Sequence, residues 1–103
     1  MEKIYENALV IELRRRGYAV KQQAPIKVYY DGEAVGEYFA DLVVEDTVIL
    51  ELKAVDTIQP AHINQINNYL RATEIEVGML FNFGPKPEFK RKVYTNARKA
   101  LRG

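Results

Sequence analysis

A chain of 103 residues, 48% apolar and 11% aromatic, carries enough hydrophobic material for one core and too much for a disordered segment. It has no cysteine, which removes disulfides, thiolate catalysis and thiolate-held zinc together. No stretch approaches the ~20 apolar residues of a membrane helix, and charged residues directly after Met1 fit no signal peptide, so a cytoplasmic protein with no membrane partner is expected.

The formal charge of +1 does not announce a nucleic-acid partner, but its distribution says more than its total. From Asp31 to Glu51 there are seven acids and no base, whereas from Lys86 onward seven Lys or Arg stand against Glu88 alone. A metal site beside a phosphate-gripping surface would look like this; a solvated surface that happens to segregate is the other reading.

In chain order, the first element is a helix from about Glu2 to Arg16. Ile4, Tyr5, Ala8, Leu9, Ile11 and Leu13 recur there at helical spacing before Gly17 stops it. On a wheel of about 100° per residue, Glu12 falls inside the apolar arc and Glu2 at its edge; pairing of Glu12 with Arg16, four residues on, accounts for the first. β-Branched and aromatic residues then make a strand of Val20 to Tyr30, Asp31-Gly32 is a turn signal, and a second strand runs from about Val35 to Val44. A third strand covers about Thr47 to Lys53. A helix follows from about Pro60 to Ala72, with Pro60 suited to its first position and Ile63, Ile66 and Leu70 as its apolar stripe. Val77 to Phe83 is a short apolar strand ending at Asn82-Phe83-Gly84, as expected for burial on both faces. Phe89 to Leu101 reads as a short strand and a helical tail. No repeat or linker interrupts residues 1–103, so one domain is expected. It is an α/β fold in the order α-β-β-β-α-β, with a mixed central sheet flanked by helices.

Side chains alternate along a strand, so Glu51 and Lys53 project with Ile49 from one face of the third strand. Charges in so apolar a run cost several kcal/mol each unless paired or holding a metal. The preceding strand repeats the oddity with Asp41, between Ala40 and Leu42. Opposed residues of an antiparallel pair share a face, so Asp41 can meet Glu51 only if paired positions sum to an even number. Pairing Val44 with Val48 satisfies this and leaves Glu45-Asp46-Thr47 as a three-residue loop. Such a loop needs one positive φ, which Asp46 tolerates best. Two carboxylates facing each other call for a hard cation, and Mg²⁺ or Mn²⁺ suits oxygen ligands. Lys53 beside them could position a water; an ion pair with Glu51 or Asp41 is its alternative role.

Asp41 followed by Glu51-Leu52-Lys53 resembles the signature of the PD-(D/E)XK nuclease superfamily, the restriction-endonuclease-like fold. Gln65 and Tyr69 resemble the Q-x-x-x-Y helix motif of RecB-like and Cas4-like nucleases, with His62 on the same shoulder. More closely, the chain resembles the small prokaryotic family named for a G-x-x-E-x-x-Y motif. Glu2 and Tyr5 match that motif's second half, and its glycine would fall just before Met1. The likeness continues through Tyr5-Glu6-Asn7-Ala8-Leu9, Ala40-Asp41-Leu42, Glu51-Leu52-Lys53-Ala54, Gln65 to Leu70 and Asn82-Phe83-Gly84.

The resemblance implies a divalent-metal-dependent hydrolase of nucleic-acid phosphodiester bonds. Asp41 and Glu51 would hold Mg²⁺ or Mn²⁺, aided by the Leu52 carbonyl and by Glu2, with Lys53 at the attacking water. Gln65 would join the catalytic set, and Tyr5, Tyr69 and His62 would support it or touch substrate. The expected partner is nucleic acid, DNA ahead of RNA, with a homodimer as a further expectation. The competing readings are a catalytically inactive nucleic-acid-binding module on the same scaffold and a purely structural or protein-interaction role.

Overall fold

The computed structural model describes residues 2–101, the side chains of 100 and 101 excepted. Its elements are α1 (Glu2–Arg15), β1 (Val20–Tyr30), β2 (Glu33–Val44), β3 (Val48–Lys53), α2 (Pro60–Ala72), β4 (Val77–Asn82), β5 (Glu88–Val93) and α3 (Asn96–Leu101). The strands form one sheet in the order β1-β2-β3-β4-β5. The β3/β4 pair is parallel, with α2 as its crossover, and the other pairs are antiparallel. The expected mixed α/β sheet with flanking helices is the observed one.

Local chemistry sets the boundaries. Asp31 and Gly32 both take positive φ, 52° and 80°, closing a two-residue hairpin that pairs Tyr30 with Glu33 and so starts β2 two residues earlier than expected. Pro60 opens α2 after an extended Gln59. Strand β4 stops at Asn82 rather than Phe83, because the buried Asn82 amide turns the chain there. Its Oδ1 accepts from the N–H groups of Val55 and Gly84 at 2.9 and 3.0 Å, and its Nδ2 donates to the Val55 carbonyl at 2.8 Å. Gly84 must be glycine for the same reason, since a side chain there would run into the Val55 carbonyl.

Two cores form, one on each face of the sheet. On one side α2 packs Ile66, Tyr69 and Leu70 on Val43, Ile49 and Leu80, and Gly78 lets Ile66 sit close over β4. On the other, α1 packs Val10, with Leu9 and Leu13, on Leu42 and Leu50. The buried arc of α1 differs from the one expected. Ile4 and Ile11 are 65% and 56% exposed, whereas Glu6 and Val10 are buried. Beneath α1 the sheet offers the amides of Gln22 and Gln23 as well as apolar side chains, and Glu6 satisfies them where an isoleucine could not. Glu12 pairs with Arg16 at 2.9 Å, as its position suggested.

The β1–β2 pair shifts register between Val28 and Tyr29, and within its regular part Gln23, across from Asp41, drops out of the ladder with φ 52°. Before it, odd-numbered Val43 of β2 meets the α2 core; beyond it, even-numbered Ala40, Ala24 and Ile26 do so. The β1–β2 hairpin therefore turns over at Gln23 and Asp41, and this brings Asp41 toward α1.

Candidate active site

Strands β2 and β3 pair Val44 with Val48, Val43 with Ile49 and Leu42 with Leu50, an even register joined by the loop Glu45-Asp46-Thr47. Glu45 and Asp46 both take positive φ, 55° and 53°, where one such residue was expected. In this register Asp41 lies opposite Glu51. There the backbone ladder ends and the side chains take over. Glu51 Oε2 accepts from the Asp41 N–H at 3.0 Å, and Asp41 Oδ2 accepts from the Leu52 N–H at 2.8 Å. The two acids thus fill the gap where β2 leaves β3 to follow β1.

Glu51 is 3% exposed. Burial, the Asp41 charge and a hydrogen bond to the Asp41 carboxylate push its pKa up to about 8, against the opposing pull of the Asp41 N–H and of Lys53. Near neutral pH the pair therefore shares one proton. Lys53 is half-buried at the end of β3. Among the described residues the ion pairs belong to Lys3, Arg16 and Lys21, so Lys53 is not tied to either acid.

From α2, Gln65 Nε2 donates to the Tyr69 hydroxyl at 2.8 Å. Burial and then the charge of Glu51 raise the Tyr69 pKa to about 12, so it stays a phenol at any working pH. Tyr38 of β2 lies against it, ring centroids 5.9 Å apart. His62 serves its own helix instead, since its Nδ1 accepts the Gln59 N–H at 2.9 Å and caps α2. Tyr5 stacks on Phe83 at 4.7 Å and 15°, pinning α1 to the turn after β4. Glu2 Oε2 accepts the Ala54 N–H at 3.1 Å, one residue past Lys53.

Sequence reasoning passed over Glu6. It is 3% exposed and takes hydrogen bonds from Gln22 at 2.6 Å, Lys3 at 2.9 Å and Gln23 at 3.0 Å. Gln23 Nε2 also reaches Asp41 Oδ1 at 3.4 Å, which links α1 to the acid pair. Burial opposes ionisation of Glu6, yet the two amides and the Lys3 ammonium outweigh it and hold the carboxyl below its usual range. The available signal was the pair of glutamines in an otherwise β-branched strand.

Among the described residues no three acid or histidine side chains converge. Protein donors for a cation are therefore Asp41 and Glu51, with the Leu52 carbonyl adjoining Glu51 in sequence. Two carboxylates sharing a proton fit Mg²⁺ or Mn²⁺, which keep several waters and take further oxygens from phosphate.

Several solved structures share the fold. An alkaline exonuclease, LHK-Exo from Laribacter hongkongensis, superposes with a TM-score of 0.64 at 15% identity, over 96% of this chain and 59% of that one. Hjc, a Holliday junction resolvase from Archaeoglobus fulgidus, gives 0.52 at 16% identity over 94% and 89%. A stretch of the Mus musculus histone-lysine N-methyltransferase NSD3 is 30% identical over 90 residues, which are 87% of this chain and 6% of that protein. The chain thus spans about three-fifths of the exonuclease and a small fraction of NSD3. The sequence model of the PD-(D/E)XK nucleases matches residues 1–92, through every strand but the end of β5, and on that match the chain belongs to the PD-(D/E)XK nuclease superfamily.

Proposed function

We propose that the chain is a divalent-metal-dependent nuclease that hydrolyses phosphodiester bonds, of the G-x-x-E-x-x-Y kind within its superfamily. The observation that carries this reading is the Asp41–Glu51 pair, held face to face at the parting of two strands, with Lys53 beside it and, among the described residues, in no ion pair. A Mg²⁺ or Mn²⁺ ion held by Asp41, Glu51 and the Leu52 carbonyl would lower the pKa of water and screen charge building on the phosphate.

The chain's own groups supply the rest. The Lys53 ammonium orients a water at the mouth of the pair and favours negative charge there. The Tyr69 hydroxyl, accepting from Gln65, keeps its proton to donate. Glu6, through Gln23, fixes the orientation of Asp41. DNA is the favoured substrate, supported by the exonuclease and the Holliday junction resolvase that share the fold.

Cleavage of labelled DNA with Mn²⁺ tests this. The wild-type chain is expected to cut, and Glu51→Gln and Lys53→Ala to lose cutting while keeping the circular dichroism of the fold. Cutting that survives both substitutions, or that proceeds in EDTA, refutes the proposal. Salt-sensitive binding without cutting under any divalent metal would favour the inactive binding module.

A further inference from the structure

The two sheet faces are covered unequally. Helix α2 rests on β1, β3, β4 and β5, and α3 docks near its end, Lys99 donating to the carbonyls of Thr73 and Ile75. On the opposite face α1 lies over β1, β2 and β3 and its core reaches Met79 and Phe81 of β4, while among the described residues no helix packs on β5 there. What stands there is aromatic. Phe81 of β4 pairs in register with Phe89 of β5, their rings 5.1 Å apart. Phe83 follows Phe81 at 6.3 Å and 17°, and Tyr5 of α1 stacks on Phe83. The result is a string of four rings from the flank of α1 to the edge of the sheet, with Phe83 and Phe89 37% and 52% exposed.

The rim of this string is cationic. Arg91 is two residues beyond Phe89 on the same side of β5, Lys90 and Lys92 project from the other side of that edge strand, and Lys86 sits in the turn before it. Among the described residues none of the four makes an ion pair. Near its Tyr5 end the string borders β3, where the Phe83 N–H donates to the Lys53 carbonyl at 2.7 Å, on the sheet face opposite to the Glu51 and Lys53 side chains.

We propose that the Tyr5–Phe83–Phe81–Phe89 string, with Arg91 and the lysines of the β5 edge, is a binding track for single-stranded nucleic acid. Exposed rings beside unpaired cations are what a single strand needs. Its unstacked bases lie on side-chain rings while the phosphates meet the cations, and a duplex cannot offer its base faces in this way. A second copy of the chain is a poorer occupant, because two β5 edges brought together would juxtapose like charges. The binding inferred here does not depend on the nuclease reading.

Fluorescence anisotropy with a labelled oligothymidylate in EDTA at low salt reads it without cleavage. Wild type is expected to bind, Phe89→Ala/Arg91→Glu to bind at least about tenfold more weakly with a shallower salt dependence, and Phe89→Trp to retain affinity. Both replaced side chains are exposed, and circular dichroism verifies the fold. Equal affinity in wild type and the double variant overturns the track, as does absence of single-strand binding by wild type. Sedimentation showing a wild-type dimer that Phe89→Ala dissociates would give the face to a second copy and also overturn it. Loss of binding in the double variant, with no cutting by wild type under any divalent metal, supports the track and refutes the nuclease. Cutting by wild type together with equal single-strand affinity of wild type and the double variant refutes the track and leaves the nuclease standing.

Discussion

Glu51→Gln is expected to stabilise the metal-free protein at alkaline pH while abolishing the proposed chemistry. The folded protein holds the Glu51 pKa at about 8, against an ordinary 4.5 in the unfolded chain. Between those values the folded state binds the extra proton, so the contribution of Glu51 is most favourable below about pH 4.5 and is lost as pH rises through 8. At about 1.4 kcal/mol per pH unit, the whole interval amounts to on the order of 5 kcal/mol, a sizeable part of the stability of a small domain. Glutamine keeps the neutral form. Its carbonyl can accept the Asp41 N–H as Glu51 Oε2 does, and its amide can donate to the Asp41 carboxylate. Guanidinium denaturation in EDTA at pH 5, 7 and 9 reads the effect: wild type should lose several kcal/mol relative to the variant across the series, and the gap should close when Mn²⁺ is added to wild type at pH 9. Parallel curves for the two proteins, or a wild type that gains on the variant with rising pH, would refute the placement of a proton on this pair.

The hydrogen bonds and ion pairs set three further expectations. Glu6→Ala leaves the amides of Gln22 and Gln23 without their buried acceptor and should cost about 1–3 kcal/mol in thermal or denaturant unfolding; because the Glu6 carboxyl sits below its ordinary 4.5, the stability it gives is present above that pH and lost as pH falls through its folded value, a limb that Glu6→Gln should remove from an acid titration followed by circular dichroism. Asn82→Leu strips partners from both backbone groups of Val55 and from the Gly84 N–H, and should lower stability by about 3 kcal/mol or more, seen as a fall in Tm. Glu12→Ala breaks only an exposed pair and should shift stability by less than about 1 kcal/mol in the same assay.

The parts of this fold legible in the sequence are those fixed by local, discrete choices. Pairing parity admits two answers, and only the even one puts Asp41 beside Glu51; Pro60 marks a helix start; Asp31-Gly32 marks a hairpin. The features that escape depend on several segments meeting. A helical stripe read from apolar residues puts Ile4 and Ile11 in the buried arc and leaves Glu6 out of it, although the sheet below presents two amides that only a polar side chain can satisfy. The positive φ at Gln23, where the hairpin turns over and from which the Gln23 amide bridges Asp41 to Glu6 of α1, has no local cause in its neighbours Gln22 and Ala24. Gly84 is silent until the Val55 carbonyl is placed against it.

The acids of the site also hold the sheet together, and this bears on how their loss is read. Where β2 and β3 part, the N–H groups of Asp41 and Leu52 bond to the carboxylates of Glu51 and Asp41. A buried N–H without an acceptor costs about as much as a lost hydrogen bond, so the two carboxylates offset part of their own burial by satisfying these donors. Alanine at either position would remove a proposed metal ligand and orphan a backbone N–H in the same step, and lost activity would not separate the two. Asp41→Asn and Glu51→Gln keep an oxygen for each N–H while giving up the charge a cation requires. If both amide variants fold as wild type does yet neither binds Mn²⁺ by calorimetry, the charge serves the metal; if both bind it as wild type does, the pair is structural and the proposed chemistry has no centre.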